Sequence, residues 1–188
     1  GGGAFRPVPA WNGYGRCVSI RDCVAMRTGL PRHDWTWLYR PMLRAELGRR
    51  VSNLPAPATQ MQGRFRYNNL TTTLAGHIGE LVTNRCWESL IEERLLGPLG
   101  MSGSSFNEDR SGPVAIGLHR DLDGVLGETP RRLVRSIAPA GGLLVSTPAD
   151  FGRWAAMNLN SGTWQGTTIV PRRTLQEVHS AQIEMDGP

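Results

Sequence analysis

The sequence contains no lysine, because all 21 of its basic residues are arginine. Chemistry that depends on a lysine amine, such as a Schiff base, a lysine general base or a phosphate-loop lysine, is therefore excluded within this chain. Arginine cannot act as the base instead, since its guanidinium stays protonated at physiological pH. The sequence also has no apolar run of the roughly 18 residues that a membrane helix needs, so we expect no membrane span.

Cysteine and histidine are scarce as well, which bears on metal and disulfide chemistry. The sequence has 3 cysteines and 4 histidines, with no CxxC pair and no spacing typical of metal ligands. We therefore predict no metal and no cofactor. A disulfide between Cys17 and Cys23 stays open as an alternative, but we expect the thiols to be buried and unpaired.

The net charge of +5 is compatible with binding to nucleic acid, but the arginines that produce it are scattered. Only short clusters occur, at Arg49–Arg50, Arg131–Arg135 and Arg172–Arg173, and no DNA- or RNA-binding motif accompanies them. We interpret them as solvated surface charge and predict no nucleic-acid partner. Retention on DNA with a steep salt dependence would favour the alternative.

The hydrophobic pattern is mainly helical. Hydrophobic residues make up 39% of the sequence, which is enough for a core, and the length of 188 residues suits one domain. The clearest amphipathic helix is predicted at 69–83, with an apolar face formed by Leu70, Leu74, Ile78, Leu81 and Val82. Further helices are predicted at 19–26 after a Ser19 capping box, within 34–50 around a break at Pro41, and at 87–96. Another is predicted at 148–159 after Thr147, with Phe151 and Leu159 among its apolar residues. The last begins after Pro171, with Leu175 and Val178 inward.

Between these helices the sequence predicts connections rather than strands. Residues 1–18 and Pro55–Pro57 have the composition of loop or extended chain, and Gly29 is expected to end the first helix in a left-handed conformation. Residues 102–137 are rich in Gly, Asp and Ser and predict long loops with a short strand pair. The alternating pattern is too limited for a substantial sheet.

No serine nucleophile is identified by a motif. The sequence has no GxSxG elbow, since Gly100–Ser104 resembles one only superficially, and no serine is followed by lysine three residues later. His77 is interpreted as a partly buried, hydrogen-bonded histidine of helix 69–83. His33 and Asp34 are interpreted as turn residues, with a structural ion pair as the alternative.

One polar cluster has the composition of a site. Tyr67, Asn68 and Asn69 lie at the predicted start of helix 69–83. A tyrosine and an amide two residues apart can face one cleft, and the positive end of a helix favours anionic groups there. An asparagine helix cap with a packed tyrosine is the structural alternative.

Several segments together resemble the serine beta-lactamase-like family, which includes class C beta-lactamases, penicillin-binding DD-peptidases and related esterases. Tyr67-Asn68-Asn69 is similar to the family's Tyr-x-Asn motif. Met26 departs from the pattern, since many relatives have histidine at this position. The other segments follow the family's order within residues 18–183, at Ser19–Pro31, Arg94–Phe106, Ala138–Asp150 and Ile169–Leu175.

The resemblance implies an α+β parent fold, in which an antiparallel sheet is flanked by helices and accompanied by a helical lobe. This chain matches chiefly the helical lobe. We therefore expect residues 1–188 to form a single partial beta-lactamase/transpeptidase-like domain that is mainly α-helical. We also expect it to need the rest of the parent chain for folding, because a lobe without its sheet exposes apolar faces.

The resemblance also implies a reaction and two residue roles. In complete relatives a serine attacks an amide or ester carbonyl to form an acyl-enzyme. Tyr67 matches the catalytic tyrosine base and Asn69 the substrate-binding amide, and the substrate is a small-molecule or peptide acyl compound.

Two of the three family motifs are absent from this chain, which limits the activity that we expect of it. Neither Ser-x-x-Lys nor the late Lys- or His-x-Gly motif is present. Tyrosine ionises only near pH 10, about three units above neutrality, and the chain has no lysine to stabilise a phenolate. We expect the chain, as the central part of a serine hydrolase, to be inactive on its own. A non-catalytic pseudoenzyme or interaction module of the same fold is the alternative.

Overall fold

The structure is a computed structural model that describes residues 18–39, 42–54, 64–106, 114–129, 134–141 and 143–185. It is about 46% helical, with two short antiparallel hairpins. The helices are α1 (Ile20–Val24), α2 (Trp35–Leu38), α3 (Arg44–Ser52), α4 (Asn69–Thr83), α5 (Trp87–Ile91) with its π-helical continuation Glu92–Leu96, the 3-10 segment Arg135–Ala140, α6 (Pro148–Leu159) and α7 (Arg172–Val178). The strands are β1 (Leu118–Arg120), β2 (Leu126–Glu128), β3 (Thr163–Trp164) and β4 (Thr167–Thr168), paired β1–β2 and β3–β4.

The first helix begins at the predicted capping box. The backbone N–H of Asp22 donates to the Ser19 hydroxyl at 3.2 Å, and the Ser19 N–H donates to the Asp22 carboxylate at 2.9 Å. The helix ends at Val24 instead of the predicted Met26, because Met26 has a positive φ of 55° and leaves the helical conformation. Gly29, expected to cap the helix, forms the next turn with φ 76°.

Helix α4 has the predicted bounds, but its apolar face is only partly covered. Its buried residues all lie within 69–75, and α3 and the 3-10 segment pack against the helix. Leu81 and Val82 are 58% and 76% exposed. These two residues continue the predicted apolar face beyond the part of α4 that the described elements bury.

The described core consists of two hydrophobic clusters, and the 3-10 segment joins them. Ile137 belongs to the first cluster and Ala138 to the second, so adjacent residues of this segment pack in opposite directions. The first cluster contains Leu30, Leu47, Val51, Leu70, Leu74 and Ile137. The second contains Leu96, Leu99, Met101, Phe106, Ala138, Leu143 and Met157.

Several apolar residues that the sequence analysis names in the two C-terminal helices are exposed to solvent. In α6 the buried apolar residue is Met157, whereas Phe151 and Leu159 are 62% and 86% exposed. In α7 the inward position of Leu175 is confirmed, but Val178 is 67% exposed and its predicted burial is wrong. Leu175 and Val178 are three residues apart and share one side of the helix, so that side is covered around Leu175 and open at the last residue.

Two expectations of the sequence fall mainly on residues that the structure does not describe. The predicted loop at 1–18 lies outside the described residues except for Val18, and so does Pro55–Pro57. The short strand pair expected within 102–137 is confirmed as β1 and β2. Over the described parts of the chain, no helix has the length and hydrophobicity to cross a bilayer.

Candidate functional site

The middle residue of the Tyr-x-Asn segment fixes the whole segment in place. The Asn68 side chain is fully buried, and its Oδ1 accepts hydrogen bonds from the backbone N–H groups of Leu70 at 2.8 Å and Thr71 at 3.3 Å. Its Nδ2 donates to the carbonyls of Leu30 and Pro31 at 3.0 and 2.9 Å. Asn68 therefore caps α4 and ties its start to the turn at residues 30–34. The predicted asparagine cap exists, and it is Asn68.

Tyr67, the first predicted site residue, lies beside an arginine that the sequence did not single out. Its side chain is 43% exposed, so it is not the packed tyrosine of the structural alternative. The guanidinium carbon of Arg32 lies 4.9 Å from the centroid of its ring. This is a cation–π contact, in which a positive charge is attracted to the electron-rich face of the ring.

Asn69, the second predicted site residue, is 9% exposed and contacts the same turn. Its Nδ2 donates a long hydrogen bond of 3.4 Å to Oδ1 of Asp34. The other carboxylate oxygen of Asp34 binds Arg32 at 2.6 Å. Tyr67, Arg32, Asp34 and Asn69 therefore form a continuous series of contacts, which we call the motif brace.

The charges of the brace orient the amide of Asn69. An ionised carboxylate can only accept hydrogen bonds, so Asp34 selects the orientation in which Nδ2 of Asn69 points toward it. Asp34 also accepts a hydrogen bond of 3.2 Å from the indole Nε1 of Trp37. The carboxylate is thus held by three side chains, and the amide oxygen of Asn69 is turned away from it.

The other residues considered from the sequence have structural positions. Ser104, from the segment that resembles a nucleophile elbow, is buried and lies 2.8 Å from both Oδ2 of Asp150 and Oγ of Ser146. Asp150 is also paired with Arg153 at 2.7 Å. These contacts attach the loop before residue 106 to the first turn of α6.

His77 is partly buried and paired, as predicted, in a second polar cluster on the far half of α4. Its Nδ1 lies 2.9 Å from Oε2 of Glu80, and Glu80 also accepts from the backbone N–H of Trp87 at 3.0 Å. Arg44 binds both Glu80 and Glu88. Burial raises the pKa of Glu80, but the hydrogen bonds from His77 and Trp87 and the charge of Arg44 outweigh it and hold this pKa below its ordinary value.

The two described cysteines differ in exposure. Cys23 is a buried free thiol, and burial, together with the nearby charge of Asp22, raises its pKa to about 12. Cys86 is exposed, so the expectation that it is buried is wrong. It immediately precedes α5, where its side chain meets Ser89 at the surface. Cys17 lies outside the described residues.

Both the sequence and the fold of the chain are similar to those of known proteins. The sequence profile of the Beta-lactamase family matches residues 6–183. The chain is similar to the unguisins hydrolase ungD' of Aspergillus campestris, with 24% identity over 173 residues that cover 82% of this chain and 32% of that protein. Among solved structures it is similar to the octameric penicillin-binding protein homologue from Pyrococcus abyssi, with a TM-score of 0.73, 21% identity, and coverage of 90% of this chain and 40% of that one.

A further solved structure with the same fold is the D-amino acid amidase from Ochrobactrum anthropi. Its TM-score is 0.66 at 22% identity, over 85% of this chain and 46% of that one. The chain thus spans about a third of the curated hydrolase and less than half of these two structures. The structural likeness confirms the predicted beta-lactamase/transpeptidase-like fold and its mainly helical content in this segment.

Proposed function

The chain belongs to the beta-lactamase family, and we propose that it supplies the Tyr67–Asn69 wall of a serine hydrolase active site. The observation that carries this proposal is the motif brace. Arg32 and Asp34, from a turn 35 residues before the motif, contact Tyr67 and Asn69 respectively. A segment whose only role is to start a helix needs the buried cap Asn68. It does not need the contacts that Arg32 and Asp34 make with Tyr67 and Asn69.

Tyr67 is proposed as the group that moves protons. In the reaction, a serine hydroxyl attacks the acyl carbonyl, and its proton passes through the tyrosine to the leaving amine or alcohol. Water then attacks the acyl-enzyme and releases the acid, with the proton passing back to the serine. The guanidinium of Arg32, whose carbon lies 4.9 Å from the ring centroid, helps to hold the tyrosine ring in position through the cation–π contact.

Asn69 is proposed as the substrate-binding amide. Because Asp34 holds its Nδ2, the amide oxygen of Asn69 is available to accept a hydrogen bond from the N–H of an acylated substrate. An amide or peptide acyl compound carries the N–H donor that fits this acceptor. The D-amino acid amidase among the similar structures supports the amide class by its name, and the unguisins hydrolase supports hydrolysis.

The nucleophile is proposed to come from outside these 188 residues, since the chain has no Ser-x-x-Lys segment. We expect the chain alone to be inactive toward nitrocefin and p-nitrophenyl acetate. The same chain within its complete coding sequence is expected to hydrolyse at least one of them.

Substitution of both motif residues tests this role directly. Tyr67→Phe is expected to lower kcat by about 100-fold, the usual contribution of a positioned proton-transfer group. Asn69→Ala is expected to act chiefly on KM, and Asn53→Ala at the exposed end of α3 is the control. Turnover by the chain alone, or unchanged turnover in Tyr67→Phe, would contradict the proposal. Inactivity of the complete protein would favour the non-catalytic alternative.

A further inference from the structure

Arg32 has hydrogen-bond donors that the motif brace does not use. A guanidinium carries five N–H groups. Nη2 of Arg32 binds Oδ2 of Asp34 at 2.6 Å, and no described residue accepts a hydrogen bond from its Nε or Nη1. The side chain is 55% exposed, so a group from outside the chain can reach these donors.

The unused donors lie at the proposed active-site wall. The guanidinium carbon of Arg32 is 4.9 Å from the centroid of the Tyr67 ring. The carboxylate that pairs with Arg32 holds Asn69 through its other oxygen. A substrate that contacts both Tyr67 and Asn69 therefore lies beside this guanidinium, within reach of a short side chain of its own.

Asp34 does not use up the positive charge at this place. Its Oδ1 accepts hydrogen bonds from Trp37 and Asn69, so the negative charge of the carboxylate is shared among three side chains. Residues 64–66, immediately before the motif, add two exposed arginines and no acid. An excess of positive charge beside a site favours an anionic ligand.

We propose that Arg32 binds a carboxylate on the acyl part of an amide substrate whose N–H is held by Asn69. This inference rests on the proposed function and adds to it the charge class of the substrate. We call the exposed donors of Arg32 the anion subsite.

The shape of the guanidinium favours a carboxylate over its neutral amide counterpart. The planar group has two edges, and each can hold both oxygens of a carboxylate through two parallel N–H groups. One oxygen of Asp34 on Nη2 leaves one edge for a second carboxylate. A primary amide offers a single acceptor oxygen and no charge, so it should bind this edge less well.

Binding can be tested without turnover in the complete protein that contains this chain. The ligands are the α-amides of N-acetylglutamate and N-acetylglutamine, each as the D and the L isomer, and affinity is measured by isothermal titration calorimetry. The two compounds have the same shape and differ in charge. We expect the glutamate compound to bind about four-fold more tightly in at least one isomer, as a partly exposed ion pair allows. This preference should shrink as salt is added.

Variants of Arg32 separate its charge from its shape. Arg32→Gln should abolish the preference for the glutamate compound. Arg32→Lys should retain part of it, because the charge stays and the planar fork is lost. The comparison of two ligands within one variant keeps the result independent of any change in overall activity, and circular dichroism checks that each variant folds.

Arg66→Gln is the matched control. It removes the same charge from another exposed arginine, immediately before Tyr67, and should keep most of the preference. Equal binding of the two compounds in both isomers, or an unchanged preference in Arg32→Gln, would overturn the proposal. So would equal losses in Arg32→Gln and Arg66→Gln, since overall charge would then explain the preference.

The outcome is separable from that of the hydrolase proposal. An Arg32-dependent preference in a complete protein that shows no turnover would reject the hydrolase and support the anion subsite. Turnover that depends on Tyr67, with equal binding of the two compounds, would support the hydrolase and reject the anion subsite.

Discussion

The carboxylate of Asp34 and the amide of Asn69 are 35 residues apart in sequence, and 3.4 Å separates Oδ1 of the first from Nδ2 of the second. Neither residue lies in the middle of a long element. Asp34 precedes a helix of four residues, and Asn69 is the first residue of α4. The contact therefore depends on Asn68, which holds the two segments together from the buried side.

We expect Asp34→Ala to loosen the brace more than Asp34→Asn does. The alanine variant removes the acceptor for Trp37 and Asn69, which should lower the free energy of unfolding by about 1–2 kcal/mol. The asparagine variant keeps an acceptor and loses mainly the partly exposed ion pair with Arg32, a loss of about 0–1 kcal/mol. Urea unfolding measures both. Equal effects of the two variants would contradict this view of Asp34.

Substitutions of the adjacent motif residues Asn68 and Tyr67 are expected to change the free energy of unfolding by very different amounts. Asn68→Ala removes a helix cap and leaves buried backbone groups without a partner, so it should lower the free energy of unfolding by about 3 kcal/mol. Tyr67→Phe removes one hydroxyl from a half-exposed ring and should change it by less than about 0.5 kcal/mol. A large loss of stability in Tyr67→Phe would show that the hydroxyl has a structural role.

Replacement by alanine is expected to change the stability of the chain in opposite directions at two glycines of α4. A Cβ on Gly76 would overlap the ring of Pro139, whereas a Cβ on Gly79 would meet nothing within 4 Å. Gly76→Ala should therefore destabilise the chain by about 1–3 kcal/mol through overpacking. Gly79→Ala should stabilise it by up to about 1 kcal/mol through helix propensity. Thermal unfolding of both variants, side by side, checks the close approach of α4 to the 3-10 segment.

Acid should weaken the fold through Glu80. Its pKa is below the ordinary 4.5 in the folded chain, so the unfolded chain binds the proton first as the pH falls. The stability that Glu80 contributes is therefore fully present above pH 4.5 and is lost as the pH falls below that value and through the folded pKa. Glu80→Gln should flatten this part of the pH–stability curve, whereas Glu128→Gln, at an exposed position on β2, should leave it unchanged.

The cysteines should react at very different rates. At pH 8 the Cys23 thiol is buried and protonated, because its pKa is raised to about 12. Iodoacetamide reacts with the thiolate, so labelling followed by peptide mapping should show Cys86 modified and Cys23 protected. Cys23 should become reactive in 6 M urea. Rapid labelling of Cys23 under native conditions would contradict its burial.

The sequence predicted correctly those elements whose bounds are set by interactions between residues close together in the chain. The bounds of α4 and the capping box at Ser19 depend on residues within a few positions of each other. The end of α1 was predicted less well, because the left-handed residue is Met26, a residue type that rarely adopts this conformation. The exposure of Leu81 and Val82 was not predictable from α4 itself, since the pattern of a helix does not state what covers it.

The candidate site was predictable only in part for the same reason. Tyr67 and Asn69 were identified from the sequence, and the structure places both at the start of α4. Arg32 and Asp34 were missed, since both contacts join residues 35 positions apart and depend on tertiary packing. The available signal was the charged residues immediately after the Gly-Leu-Pro turn. Asp34 is predicted from the sequence as a turn residue with a structural ion pair as the alternative, and in the structure its ion pair is with Arg32. The proposed roles of Tyr67 and Asn69 in catalysis stay predictions.

The contacts of Arg44 show why lysine is not an equivalent replacement for arginine at this position. One guanidinium reaches the carbonyl of Ser136 and the carboxylates of Glu80 and Glu88, and so connects α3, α4, α5 and the 3-10 segment. A planar group with donors on three nitrogens satisfies these directions at once, and a single ammonium cannot. Surface positions tolerate the exchange of arginine for lysine, but at residue 44 the exchange would remove polar contacts that join four segments at once.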